Sequence, residues 1–421
     1  MTENKTILVI CYSYPPNKGI GGRRWAKFSK HLAENGYSIE IICKKAMPGE
    51  KSQWTQDTLH SNINLNTLPS LYPTILGSVP ETFLEKLGYR IWLFAFLILS
   101  KGTFPERTFF WKNQLLKKAS EIIQKKKIKN IVVTVPPFRL GYYASFLKKK
   151  NPDLNFILDY RDPWTDNKTF HGFLNLSAKR RNFEWQMEKT ALNRADSIIT
   201  ANQQMSDWLK EKLDPKANVI TIPNGYDPAD LQTKAISEVK NNNSVRCIYA
   251  GTFYSNVEYI LTPFLNYLKQ QEENDPEFSR KFLFEFYGDM DPKMKALFLS
   301  KNLQCLRLNK PIALHEIHYE IQKSDCCLIF AAQDHSFAFN TKFYEYLANK
   351  KPIAIFSKTG EVPDFLKSNH LGFHINLDHF EEDFNDFIKK LLDRTFEFNK
   401  NYDASHFSTN SHTKILETLF I

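Results

Sequence analysis

The chain has no apolar stretch able to cross a bilayer. Its longest apolar run, residues 91–99, falls far short of the roughly 20 residues that a spanning helix needs. A membrane-spanning helix is not expected, while a helix lying on a membrane surface is left open. Paired cysteine spacing is missing too. Cys11, Cys43, Cys247, Cys305, Cys326 and Cys327 are scattered, several inside apolar runs, as small buried hydrophobes are. Disulfides and thiolate metal sites are therefore not expected, and the compartment reads as reducing and cytoplasmic. Met1 to Lys5 is too short and polar for a signal peptide. There is no internal repeat, no low-complexity tract and no Gly-x-Ser-x-Gly elbow. His315 and His318 have nothing near them to complete a metal set, so a surface or structural role is expected of them.

What is present is length, aromatic residues and positive charge. At 421 residues the chain accommodates two domains, each with a sizeable core. Aromatic residues make up 14%, and the formal charge is +10. Such charge favours an anionic partner: phosphate groups, acidic lipid or nucleic acid. Lysines on solvated faces account for the same number equally well.

Short apolar segments alternate with amphipathic ones. Strands are expected at 7–11, 38–43, 130–135, 155–159, 197–201 and 218–222. A helix opens near Arg23, with Trp25, Phe28, Leu32 and Ala33 at helical spacing and Asn35-Gly36 closing it. The polar stretch 234–244 reads as a linker. Strands resume at 246–251, 283–287, 326–330 and 353–356. Residues 51–111 fit the alternation poorly and read as an insertion holding an apolar helix, 83–99, whose face goes either to the core or to a membrane. The pattern predicts an α/β protein with two doubly wound parallel-sheet, Rossmann-like domains facing each other across a cleft. The first covers 1–233 and the second 245–400. A segment, 401–421, is expected to cross back to the first.

Five segments carry candidate chemistry. Ser13 to Arg24 leaves the first strand and opens the first helix. Its Gly19, Gly21 and Gly22 permit close backbone approach, and Arg23 and Arg24 sit where a helix N-terminus attracts anions. It is neither a dinucleotide fingerprint, since Arg24 stands where Gly or Ala is needed, nor a Walker loop. Asp159-Tyr160-Arg161-Asp162-Pro163-Trp164 crowds charges at a strand tip, where a carboxylate can orient or deprotonate a hydroxyl. Asp159 reads equally as a structural partner of the arginine, and Asp162 as functional. Tyr249-Ala250-Gly251-Thr252 and Tyr287-Gly288-Asp289 are strand-tip turns. Finally, Asn340-Thr341-Lys342-Phe343-Tyr344-Glu345 reads as a helix start with a cation and a carboxylate on one face. A capping box would need acid at Phe343 or Tyr344. The pair instead suits a diphosphate followed by a diol, as in a sugar nucleotide.

In this order the motifs resemble the family 4 glycosyltransferases of GT-B architecture, over nearly the whole chain. Thr134-Val135-Pro136-Pro137, 105–111 and 159–164 are similar to segments of a bacterial polysaccharide-assembly branch. Ala195-Asp196-Ser197-Ile198-Ile199-Thr200 and Ile222-Pro223-Asn224-Gly225-Tyr226-Asp227 are typical of the family, and 342–347 with Lys351-Pro352 resembles its donor-site helix.

The resemblance implies retaining transfer of a sugar from a nucleotide diphosphate sugar, with no cofactor and no metal. The acceptor would be a glycan or a lipid-linked molecule of cell-surface polysaccharide or lipopolysaccharide synthesis. It implies that Glu345 holds the ribose hydroxyls, and that Lys342 and the amides near Asn340 and Thr341 hold the diphosphate. Gly251, Thr252 and Gly288 would flank the donor. Gly21 and Gly22, with Arg23 and Arg24 beside them, would meet phosphate or sugar, and Asp162, or Arg161, the acceptor hydroxyl. Two positions depart from the family. Phe337 replaces a second glutamate, and Thr252-Phe253-Tyr254 stands where an arginine and a lysine are common. The expected place is the cytoplasm, at the inner membrane face, with an anionic membrane surface as a partner and no nucleic acid. The alternatives are a sugar-nucleotide epimerase or hydrolase of the same fold, or a non-catalytic anion-binding protein.

Overall fold

The structure, a computed structural model, describes residues 5–77, 80–100, 106–166, 176–213, 216–231, 244–253, 255–332 and 339–421. Phe337 and nearly all of the expected linker 234–244 lie outside the described residues. The chain divides into two compact units. One is Met1–Pro223 with His412–Ile421, and the other is Asn224–Ser411.

The first unit is built on seven strands: β1 Thr6–Ile10, β2 Ser38–Lys44, β3 Ile63–Leu68, β4 Asn130–Val135, β5 Asn155–Tyr160, β6 Ser197–Thr200 and β7 Asn218–Thr221. They lie in the order β3-β2-β1-β4-β5-β6-β7, all parallel. Parallel strands are joined by crossover helices, so both faces of the sheet are covered and the central strands run largely apolar. In β1, Leu8 and Ile10 enter one core while Ile7 and Val9 enter the other. Trp25, Phe28 and Leu32 of the helix Arg23–Glu34 pack on the second of these. Leu416 joins that core, and Asn155 Nδ2 donates to the Leu419 carbonyl (2.7 Å), so the last residues close on the base of β5.

The second unit has six strands: β8 Val245–Ala250, β9 Phe282–Tyr287, β10 Leu306–Asn309, β11 Cys326–Phe330, β12 Ile353–Ser357 and β13 Gly372–Asn376. Their order is β10-β9-β8-β11-β12-β13, again all parallel. Much of the aromatic content is spent here. Phe264, Phe286, Phe330, Phe356 and Phe384 fill one core, with Phe330 and Phe356 stacked at 4.8 Å between ring centres. Offset stacking of this kind adds to plain area burial.

Three features differ from the sequence reading. Residues 51–111 are not wholly an insertion, because β3 extends the sheet beside β2. Strands β10 and β13 were not expected either. The units divide at Pro223, not at 233. Tyr226 is bonded on both sides of its peptide to the far end of the second unit: its N–H donates to Phe407 O (3.2 Å), and Thr409 N–H donates to its carbonyl (2.8 Å). All six cysteines are buried free thiols, as small apolar residues would be.

Candidate functional site

In a doubly wound sheet the strand order reverses at one point, and the loops leaving the carboxyl ends of the strands on either side form a crevice. In the first unit that point lies between β1 and β4. The glycine loop 13–22 follows β1, the two prolines follow β4, and the 159–164 motif follows β5. In the second unit it lies between β8 and β11. There the turn at Gly251 follows β8, and the helix Thr341–Ala348 follows the β11 loop. Topology thus gathers the motifs at these two points without reference to any ligand.

The first crevice is wired largely by charge. Asp159 is fully buried at the end of β5. It accepts from Trp25 Nε1 (2.7 Å) and Arg24 Nε (3.2 Å). The other two Arg24 nitrogens donate to the carbonyls of Ile222 and Pro223 (2.8 and 2.9 Å). Arg24 was expected among the anion-binding groups. Its whole fork is instead engaged in joining the helix start to β5 and to the exit of β7. Asp159 is its counter-charge, which is the structural side of that residue's two readings. Arg161 is a second clamp. Its nitrogens donate to Val135 O (3.2 Å), Pro136 O (2.9 Å) and Gly21 O (2.9 Å), fixing the glycine loop against the β4 tip. All three of its guanidinium nitrogens are thus engaged with backbone carbonyls.

The two loop glycines differ. A Cβ on Gly22 would lie 2.2 Å from the Ser13 carbonyl oxygen, so Gly22 is required by the loop's own backbone. A Cβ on Gly21 would meet nothing closer than 3.8 Å. Gly21, half-buried, would accept one in ordinary contact with Arg161 and Ser13. Arg23 is buried at the first turn of the helix.

Asp162 is exposed at the tip of its motif, while Tyr160 and Trp164 are buried. Two carboxylates that were not read from the sequence hold that loop from beneath. Glu184 and Glu188 stand one turn apart on the helix Ala178–Arg194, and both are buried. Glu184 accepts from Trp164 Nε1 (3.0 Å) and pairs with Arg139 (3.1 Å). Glu188 accepts from Tyr160 Oη, from the Thr165 hydroxyl, and from Thr165 N–H (3.3 Å). Burial, and then the Glu188 charge, hold the Tyr160 phenol well above its ordinary pKa, so it stays a donor. Nearby, Glu106 is buried and accepts from the backbone N–H groups of Phe138 and of Arg139 (2.9 Å). Burial raises its pKa against the pull of those donors and of the Arg139 charge. The signal that was available is the position of Glu184 and Glu188 on the same helical face as Met187, Ala191 and Leu192. Acids there need partners.

The second crevice brings together Gly251, Gly288 and Lys342. Asn340 caps the helix Thr341–Ala348, its side chain accepting from Phe343 N–H (3.0 Å). Phe343, Tyr344, Tyr346 and Leu347 are buried, and Tyr346 Oη accepts from Ala250 N–H (2.8 Å), which locks the helix to the end of β8. Lys342, half-buried, crosses that strand end. Its ammonium donates to Tyr249 Oη (2.8 Å) and lies 4.5 Å from the ring centre. Gly251 has φ +151°, and a Cβ there would fall 1.9 Å from Lys342 Cε. The glycine was expected to admit a ligand to the backbone; it admits the lysine stem. Gly288 has φ +145°, and a Cβ there would fall 2.1 Å from the Gly251 carbonyl oxygen, so it lets the tips of β8 and β9 close together. Thr252 follows in the same turn, its carbonyl accepting from Tyr249 Oη (3.1 Å). Glu345 is half-buried, one turn along from Lys342. His318 is buried beside Asn349 Nδ2 (3.0 Å), within the packing behind this helix.

A capped helix start with a lysine at its second residue, facing strand-tip glycines, offers N–H groups and a cation to an anion. Sucrose-phosphate synthase from Thermosynechococcus elongatus superposes with a TM-score of 0.67 at 13% identity, over 98% of both chains. HepE of Anabaena, solved with UDP, gives 0.62 at 12% over 98% of this chain and 99% of that one. WaaG, a glycosyltransferase involved in lipopolysaccharide biosynthesis, gives 0.59 at 11% over 98% and 99%. At such identities the likeness is one of fold. No curated protein sequence matches the chain. The sequence model described as Glycosyltransferase Family 4 matches residues 21–230, from the glycine loop to the start of the second unit. With that match and two parallel-sheet units of GT-B type, the chain belongs to glycosyltransferase family 4.

Proposed function

We propose that the enzyme is a retaining, hexosyltransferase-type catalyst. It moves a sugar from a nucleoside diphosphate sugar to a glycan or lipid-linked acceptor in cell-surface polysaccharide assembly. The observation that carries this reading is Lys342, held across Gly251 at the capped start of its helix, at the point where the strand order reverses. As the bond from sugar to phosphate breaks, negative charge grows on the leaving diphosphate. A helix N-terminus and an ammonium already aimed there stabilise that charge with little reorganisation. The amides at Thr341 and Lys342 and the Lys342 ammonium take the diphosphate, and Glu345 accepts from the ribose diol. Asp162, exposed above the buried Glu184–Glu188 pair, faces the acceptor hydroxyl. The cation at Lys342 supplies the counter-charge, so transfer proceeds without a metal and turnover persists in EDTA.

HepE was solved with UDP, which supports starting a donor screen from uridine sugars. The test is a thermal-shift panel of nucleoside diphosphate sugars, followed by product analysis with the best one. A glycosidic product that fails in Glu345→Ala and Asp162→Ala is the expected result. An epimer or free sugar as the product, or undiminished transfer in both variants, overturns the reading.

A further inference from the structure

The helix Phe83–Leu99 leaves the first unit with an apolar stripe that its own fold does not cover. A capping box fixes its start: Thr82 Oγ1 accepts from Glu85 N–H (3.2 Å), and the Glu85 carboxylate accepts from Thr82 N–H (3.0 Å). Its inner side is already satisfied. Phe96 is fully buried among the rings of Tyr72, Phe109 and Phe110, at 5.6, 5.2 and 5.3 Å. It is also the one helix residue among those described that is buried. At 100° per residue, Phe83, Leu84, Leu87, Ile91, Phe94 and Ile98 fall within one arc of about a quarter turn. All six are exposed, Phe83 at 79% and Phe94 at 67%. Lys86 and Arg90, both exposed, stand four residues apart along one border of that arc. The core-packing alternative for this helix therefore fails, and water is a poor partner for so large a patch.

We infer that this helix docks on an anionic lipid surface, lying in the plane of the headgroups. Its 17 residues make a rod of about 25 Å, and among the described residues no helix is long and apolar enough to cross a membrane. Apolar side chains along one arc with basic ones at its edge fit the boundary between acyl chains and phosphate headgroups. The formal charge of +10 adds attraction to a negative surface over the last Debye length of approach. A second copy of this chain would cover the apolar arc equally, but it would set Lys86 and Arg90 near each other's like charges. The inference does not rest on the transfer chemistry, since it is read by partitioning and not by turnover.

The experiment is co-sedimentation of the full chain with sucrose-loaded vesicles of phosphatidylglycerol and phosphatidylethanolamine, against phosphatidylcholine alone. Wild type is expected to sediment with the anionic vesicles and to release with salt. Lys86→Gln with Arg90→Gln weakens partitioning about thirtyfold, from two basic side chains near the surface. Ile91→Ser with Phe94→Ser removes binding, while Leu299→Ser, an exposed apolar site on the second unit, leaves it unchanged. Because the altered residues are exposed, all variants should keep wild-type denaturation midpoints and wild-type thermal shifts with nucleotide sugars. That separates this inference from the donor reading. Wild type remaining in the supernatant with anionic vesicles overturns the proposal, as does a Ser double variant that sediments normally. A wild-type dimer that Ile91→Ser with Phe94→Ser dissociates, without vesicle binding, also overturns it and assigns the face to self-association.

Discussion

Replacing Lys342 by methionine separates the roles this lysine plays. Methionine keeps most of the stem that runs over Gly251 and removes only the ammonium. Two contributions are lost. Within the protein, the ammonium donates to Tyr249 Oη at 2.8 Å and sits 4.5 Å from its ring centre. At a half-buried site such a cation–π contact is worth about 1 kcal/mol. Toward a diphosphate, a charged hydrogen bond at a helix N-terminus is worth about 1.5–3 kcal/mol, or about ten- to 150-fold in affinity. The ligand effect should therefore exceed the stability effect. Isothermal titration with a nucleoside diphosphate, using the base that gives the largest thermal shift, is the measurement. The unphosphorylated nucleoside should bind both proteins alike, because the ammonium does not reach it. If Lys342→Met binds the diphosphate as wild type does, the reasoning fails. It also fails if nucleoside and diphosphate weaken equally, since the lysine would then act only by shaping the site.

Other consequences follow from the first unit and the thiols. Gly22→Ala should cost about 1–3 kcal/mol in chemical denaturation, because its Cβ would enter the Ser13 carbonyl at 2.2 Å. Gly21→Ala should leave stability within about 0.5 kcal/mol, because its Cβ would meet nothing closer than 3.8 Å. Asp159→Ala leaves the Arg24 guanidinium buried without its counter-charge and should cost about 3–5 kcal/mol. A near-neutral result would mean that the two carbonyl contacts suffice. Burial pushes the Cys11 and Cys43 thiols up to about 12 from an ordinary 9.0. Their raised folded values contribute stability that is intact below pH 9 and lost between 9 and about 12, where only the unfolded chain ionises. Ellman's reagent at pH 8 should accordingly label these thiols only after denaturation.

The segments that were legible in the sequence are those whose evidence is local. β1, β4 and β11 are central strands, buried on both faces, and their largely apolar runs announce them. The three strands that were missed, β3, β10 and β13, all lie at sheet edges. An edge strand has one neighbour and needs less apolar sequence. β3 carries Asn64 and Asn66, and β10 is only Leu306–Asn309. The helix Phe83–Leu99 was read with the right bounds, but its destination was not, because an apolar period says which face is greasy and not what covers it.

The Asn340–Glu345 segment shows the same division at the site. Its order of cap, cation and carboxylate is a property of helical spacing, so the chain alone determines that Lys342 and Glu345 share a face near a positive helix end. Where that face points is another matter. Tyr346 ties the helix to β8, and Gly251 leaves room for the lysine stem; both contacts join residues some ninety positions apart in the chain. The same holds for Arg24 and Asp159, which the sequence offered as two candidates for chemistry and which the fold joins across 135 residues into one buried pair. Spacing within a helix or strand is set by backbone geometry and is readable in one dimension. The burial of a charge and the choice of its partner depend on which strands the sheet makes neighbours, and only the tertiary structure decides that.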